Sequence, residues 1–371
     1  VADIFTVIDE VLRDDQPIVL ARNPMIQFGT GNRRYLGAEF LPERPVTENQ
    51  FTEDKIVYFS IPANDATRYS EPQLKEGQLV GSFDVKLGEI DIARQLTGKD
   101  FDNIRKIAKN NPDQAKAQLI AWLNTAVNLA LVEKHEIQRW QALVNGAVTI
   151  QGTDGKSSTV AFRDPPGHRI TVPSGTVAAP TGWYGTEDPM EAIFAMKVLL
   201  ASKGYEVARI IGDTDITSAI ATNQVMQQRL GSLTVNGAGF TSRVGLVDKQ
   251  ALDNYLINNF GLPPIEEYNL TYRTQTSTGF FKPRGSLVFI ATTGRSETID
   301  LGDAGLQVIE DTLGYYAIGI AVGEDLPGRV IRAESRNLKP IGLYSQGFAT
   351  SFPVPTEVEA VATITVPKPT Q

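Results

Sequence analysis

The chain has no cysteine among its 371 residues, so neither a disulfide nor a thiolate metal site is open to it. It has two histidines, His135 and His168, far apart in sequence. That excludes a histidine-rich metal site and nearly excludes a Cys or His nucleophile–base system. No window holds ~18 consecutive apolar residues, so no transmembrane helix is expected. Val1-Ala2-Asp3-Ile4 shows no basic stretch before an apolar run, so no signal peptide is expected there and the expectation is a soluble intracellular product. Positive charge is in deficit: 35 Lys and Arg stand against 43 Asp and Glu, a net charge of −8. An acidic surface argues against holding nucleic acid by counterion release, and suits a surface that must not stick to it. The chain also lacks a G-x-S-x-G elbow, an H-E-x-x-H pair and a P-loop. The expectation is therefore a protein that is not an enzyme, with no catalytic residues, no cofactor and no metal.

Hydrophobic residues make up 42%, enough for a sizeable core, and the length suits two domains or one large elaborated one. The most informative stretch runs from Asn111 to Gly146. Asn111 is a good N-cap, Pro112 suits the first helical position, and Gln114 completes a capping box. Leu119, Leu123, Ala126, Ala130, Ile137, Trp140 and Val144 form one apolar seam, and Asn145-Gly146 supplies the stop. The predicted helix is roughly 50 Å long. Its opposite face, with Gln118, Asn124, Asn128 and Gln138, is expected to point outward.

Before this helix, residues 1–50 have little periodicity and read as an extended arm. Gly29 and Gly31 fall short of a phosphate loop, since Arg34 stands where the third glycine belongs. Residues 55–61 and 78–88 read as strands of a long β-hairpin. Its polar tip, Pro62 to Gly77, carries Asn64, Asp65, Arg68, Tyr69, Glu71, Lys75 and Glu76 as candidate contacts to a neighbouring subunit. Residues 89–110 carry a shorter helical pattern in Ile90, Ile92, Leu96, Phe101, Ile104 and Ile107, interrupted near Gly98.

After the helix, Val148 to Ile170 reads as short strands around a Thr153-Asp-Gly155 turn. Asp188-Pro189-x-Glu191 caps a helix whose apolar face is Ile193, Phe194, Met196, Val198, Leu199 and Leu200. Strand Val207–Ile211 leads through Gly212-Asp-Thr-Asp215 into a helix with Ile216, Ile220, Val225 and Leu230. Asp213 and Asp215 could hold a divalent metal in a D-x-D motif, but an N-cap is the plainer reading. A helix at Asp248 to Asn259 follows, then strands at Leu287–Thr292, Tyr315–Val322, Ile341–Phe348 and Val358–Val366.

In this order of elements the chain resembles the major capsid proteins of tailed bacteriophages, with the Hong Kong 97 or Johnson fold. More narrowly it is similar to the lambda-like group, major capsid protein E. The residues that carry the resemblance are helix Pro112–Val144 running into Val148-Thr-Ile150, then Asp188–Gly204, strand Val207–Ile211 and helix Ile216–Leu230. The C-terminal block, Tyr315 to Val366 with Arg332-Ala-Glu-Ser-Arg336, matches in style.

The resemblance implies an α+β capsid fold. Residues 1–54 would be the N-terminal arm and 55–88 an extended β-hairpin loop. Residues 89–206 would form a peripheral domain with spine helix 112–144, residues 207–330 an axial α/β domain, and 331–371 a return to the peripheral domain and a tail. It also implies pentamers and hexamers of identical chains, closing into an icosahedral shell around double-stranded DNA in the host bacterial cytoplasm. A scaffolding protein, a portal and a cement protein are the implied partners, with no membrane involved. Some relatives cross-link through a Lys–Asn bond, and no residue pair here identifies one. The alternatives are an encapsulin-like compartment, another phage structural subunit, or a metal-dependent α/β enzyme using Asp213 and Asp215.

Overall fold

The computed structural model of the chain describes residue 7 and residues 34–57, 78–151, 157–162, 165–230, 234–236, 239–241, 247–274, 277–300, 306–336 and 342–370. The chain enters through a short helix α1 (Gly37–Phe40) and strand β1 (Glu43–Pro45). β2 (Gln50–Val57) and β3 (Gln78–Lys86) then pair antiparallel as a two-stranded ribbon, with a register shift at Lys55/Ile56. The expected hairpin is present, and its first strand begins at Gln50 rather than Lys55. Its tip, with Asn64, Asp65, Arg68, Tyr69, Glu71, Lys75 and Glu76, lies outside the described residues. So does most of the expected arm.

The stretch expected to be helical over 89–110 divides at Gly98 into strand β4 (Gly88–Thr97) and helix α2 (Gly98–Asn110). Ile90 and Ile92 fit a two-residue period as well as a helical one, and pairing with a distant strand decides for the sheet. The long helix follows as α3 (Pro112–Leu123), a π-helical turn (Asn124–Asn128) and α4 (Leu129–Asn145). Asn111 Oδ1 accepts the Gln114 N–H at 3.2 Å, and Gly146 in the left-handed region ends the helix.

The π turn changes which face is buried. A turn that closes five residues back carries one residue too many, so everything after it rotates by about 100°. Ala115, Leu119 and Leu123 are buried before it as expected. Beyond it Leu131, Val132, His135, Glu136, Gln138, Arg139, Ala142 and Leu143 are buried as well as the expected Trp140 and Val144, while Ala130 and Ile137 of the expected seam are only half-buried. Asn128 and Gln138, expected to face outward, are buried, whereas Gln118 is exposed as expected.

Strands β5 (Ala147–Gln151) and β6 (Ser157–Ala161) form a hairpin, followed by β7 (Arg169–Thr171). Helix α5 (Pro189–Ser202) starts on Asp188, which accepts the Met190 N–H at 3.0 Å. After β8 (Val207–Gly212), the single helix expected to reach Leu230 is two, α6 (Thr214–Thr222) and α7 (Gln224–Leu230). Asn223 breaks the run with extended backbone and caps α7, its Oδ1 accepting from Val225 and Met226. A ribbon of β9 (Thr234–Asn236) and β10 (Gly239–Thr241) precedes α8 (Lys249–Tyr255), which a second π turn extends to Phe260.

The remaining strands are β11 (Ile265–Glu267), β12 (Thr271–Arg273), β13 (Thr278–Phe280), β14 (Ser286–Ala291), β15 (Ser296–Asp300) and β16 (Leu306–Glu310). β17 (Gly314–Ile318), β18 (Arg329–Arg336), β19 (Gly342–Pro355) and β20 (Val361–Thr365) complete the chain. Two sheets organise them. In one the order is β1-β17-β19-β18, with β4 also paired to the 14-residue β19. The other runs β11-β8-β14-β20-β7. Every residue of β14 is buried, as a central strand covered on both faces requires. Of the strand expected over Val358–Val366, Val358–Ala360 is a 3₁₀ turn and β20 begins at Val361, with Val361 to Thr363 buried in succession.

Candidate functional site

Helix α4 carries His135, Glu136 and Arg139 on the face that the π turn directs inward, and all three are fully buried. A buried charge costs several kcal/mol unless it is paired and hydrogen-bonded. Each of them finds partners from distant parts of the chain. Glu43 of β1 receives Arg329 Nη1 from β18 at 2.7 and 2.8 Å, Arg139 Nη2 at 3.2 Å and His135 Nδ1 at 3.3 Å. Arg139 also donates to the Leu41 carbonyl at 2.9 Å and lies over the Tyr316 ring at 4.7 Å. One residue after His135, Glu136 accepts the Gly37 N–H, the Trp140 indole N–H and the Tyr268 hydroxyl at 2.8, 2.8 and 3.0 Å.

The titration behaviour follows from this packing. Burial pushes Glu43 up, but Arg329, His135 and Arg139 outweigh it and hold the carboxyl well below the usual range. Burial pushes His135 down to about 4, against the pull of Glu43. The neutral ring keeps its proton on Nδ1 toward Glu43, which leaves Nε2 to accept from Ser351 Oγ at 3.3 Å. Burial raises the Glu136 carboxyl despite Arg139 and its three donors. This knot ties α1, β1, α4, β17, β18 and β19 to one another, and it is closed to solvent. It has the chemistry of a clamp rather than of a catalytic centre.

A second cluster sits where β8 runs into α6. Asp213 Oδ1 accepts from the Asp215 and Ile216 N–H groups at 3.0 and 3.1 Å, which is the expected N-cap. Its Oδ2 accepts from Lys282 Nζ at 2.8 Å and from the Gly285 N–H at 2.9 Å. Asp215 Oδ1 accepts from Arg284 at 2.5 Å and pairs with Lys368 at 3.0 Å. Both carboxylates of the D-x-D are thus engaged by cations of the same chain. Among the described residues no three His, Cys, Asp or Glu side chains converge as a metal site would need. His168 is fully buried, with Nδ1 donating to the Val361 carbonyl at 2.8 Å, so it is a packing residue.

The base of the β2–β3 ribbon is fixed to the body. Tyr315 donates its hydroxyl to Glu53 at 2.8 Å, the Asn49 side-chain amide donates to the Ile320 carbonyl and accepts the Ile320 N–H, and Val85 and Leu87 are buried. None of Glu43, Glu136, Arg139 or Arg329 stands out in the sequence, because a charged residue on a helix or strand ordinarily marks a solvated face. The clue that exists is local: His135, Glu136, Arg139 and Trp140 fall within two helical turns, at spacings of three and four that put them side by side.

The described residues thus form an arm-like ribbon, a long helix crossing a strand-rich sheet, and a buried charge cluster that joins them. The model of the family "phage major capsid protein E" matches residues 40–300, and the chain belongs to that family. Among solved structures, a capsid protein assigned to a prophage of E. coli CFT073 superposes with a TM-score of 0.51 at 13% identity, covering 99% of both chains. That likeness shows a shared fold. A phage-related protein of Bordetella bronchiseptica RB50 gives 0.47 at 13% identity over 91% of this chain and 93% of its own. The SrpI encapsulin of Synechococcus elongatus PCC 7942 gives 0.40 at 11% identity over 89% and 86%. No curated protein matches in sequence. The chain is a structural subunit of a phage capsid, a component of the virion that assembles in many copies into a shell.

Proposed function

We propose that the subunit closes with its copies into pentamers and hexamers of an icosahedral head around double-stranded DNA, and that it does so in the host bacterial cytoplasm without catalysing a reaction. The β2–β3 ribbon is the observation that carries this reading. Among the described residues its strands pair with each other and with no third strand, and a bare ribbon is marginal in water. Its base is pinned to the body, and in this reading the polar stretch between its two strands is what meets a neighbouring subunit. In this reading residues 1–54 are the arm and 55–88 the loop that lies over a neighbour. Residues 89–206, with spine 112–144, form the peripheral domain, 207–330 the axial domain, and 331–371 the return. A scaffolding protein, a portal and a cement protein complete the assembly. The net charge of −8 keeps the shell from gripping the packed DNA.

Deleting Ala63–Glu76 tests the reading. The subunit is expected to stay folded by circular dichroism and to form no shells by size-exclusion chromatography and negative-stain microscopy. Normal shells from the deleted chain refute the arm, and particles filled with protein cargo in place of DNA refute the head.

A further inference from the structure

Helix α5 has two apolar faces. One is in the core: Met190, Ile193, Met196 and Leu200 are buried. The other was expected to join it, since Phe194 and Val198 read as part of a single apolar side. Instead they point outward, 46% and 50% exposed. The outward positions Glu191, Phe194, Ala195, Val198, Ala201 and Ser202 recur at spacings of three and four, with charge only at the start. A helix that is apolar all round belongs in a buried setting.

The stripe continues onto α8 and its π turn. Phe194 packs on Phe260 with ring centroids 5.7 Å apart, Phe260 touches Tyr255 at 5.6 Å, and Ile257 beside them is 47% exposed. Lys197, the lysine nearest the middle of α5, is turned onto the Phe260 carbonyl instead of standing over the patch. The exposed parts of Phe194, Val198 and Ile257 amount to roughly 200–300 Å². A free-standing stable complex needs about 800 Å² on each partner. The patch is too small to hold one partner alone, and the right size for one of several contacts that identical subunits repeat around a shell.

We propose that this face of α5, with Ile257 and Phe260, is a contact on which one capsid subunit rests against a second copy of the chain. The inference rests on the reading of the protein as a subunit of a multi-copy shell. It adds which surface of the described body is covered on assembly.

The test compares wild type with the double variant F194E/V198E under one set of assembly conditions. Sedimentation velocity reads the free subunit left at equilibrium, and circular dichroism with thermal unfolding reads the fold. Placing two carboxylates in the contact is expected to raise the free-subunit concentration by roughly tenfold or more, with the unfolding midpoint held. Equal assembly of variant and wild type overturns the contact while leaving the capsid reading intact. A wild-type chain that never assembles overturns both. If the double variant fails to fold, V198C replaces it. The chain has no other cysteine, so a photo-cross-linker attached at position 198 is unique. In shells mixed from isotope-labelled and unlabelled subunits, cross-links between copies support the proposal. Cross-links confined to one copy, or made to a different protein, overturn it.

Discussion

Mild acid probes the buried knot through His135. Burial lowers its pKa to about 4, and an unfolded histidine titrates near 6.5. Between those two values the unfolded chain holds a proton that the native chain does not. Stability therefore falls as the pH drops through this window. Among the charged groups packed around the ring, Glu136 works in the opposite sense, because burial raises its carboxyl, and it does so equally in wild type and in H135Q, so the difference between the two isolates the ring. Glu43 from β1 is held well below the usual carboxylate range, so its contribution is lost only at lower pH. Arg139 of α4 and Arg329 of β18 stay charged, and burial raises Tyr316 of β17 away from the window. Going from pH 7 to pH 5 then costs about 2 kcal/mol from this one side chain. The assay is urea unfolding of dissociated subunits at pH 7, 6 and 5, for wild type and for H135Q. Glutamine can still reach toward Glu43 and Ser351 but does not titrate. Wild type is expected to lose its midpoint progressively, and H135Q to lose little beyond its lower starting value. A pH dependence between 7 and 5 that is the same in H135Q as in wild type refutes the reasoning.

Two further expectations concern the same helix. E43A leaves Arg139 and Arg329 buried without their carboxylate, so it should cost about 3–5 kcal/mol by thermal or chemical unfolding, whereas a loss under about 1 kcal/mol would show that the knot is not buried as described. G347A introduces a Cβ that would lie 2.2 Å from Val127 Cγ1, in the π turn where the helix meets β19. It should destabilise by about 1–3 kcal/mol, and V127A/G347A should cost less than the sum of the single changes in a double-mutant cycle.

Helix starts were readable because capping is local chemistry. Asn111, Asp188 and Asp213 each accept the backbone N–H groups that the sequence assigned to them. Strand β4 was not readable for the opposite reason. Ile90, Ile92 and Leu96 satisfy two periods at once, and what decides is a ladder to β19 about 250 residues further along the chain. The π turn leaves no mark in the sequence either. Asn124 to Asn128 continues the helical pattern, yet one surplus residue there buries His135, Glu136, Gln138 and Arg139 and leaves Ala130 and Ile137 of the seam half-buried. The ribbon of β2 and β3 was legible in kind, while its first boundary moved because Gln50 to Asp54, Phe51 apart, are polar and take their strand conformation from pairing with Ser82 to Lys86.

The candidate contact on α5 was hidden by a different kind of ambiguity. Phe194 and Val198 look like core residues in the sequence because they are chosen by the same physics as core residues: removal of apolar area from water. That physics does not record whose atoms do the covering. A single chain therefore presents its assembly contacts as an apparent excess of core, and only a structure of the lone subunit separates the two. Met190 and Ile193 find cover within the chain, while Phe194, one residue on, does not. The residues that mark such a surface are those for which sequence pattern and burial disagree in the apolar direction. His135, Glu136 and Arg139 disagree in the polar direction and mark a closed internal clamp. The two mismatches separate what holds one subunit together from what would join it to the next.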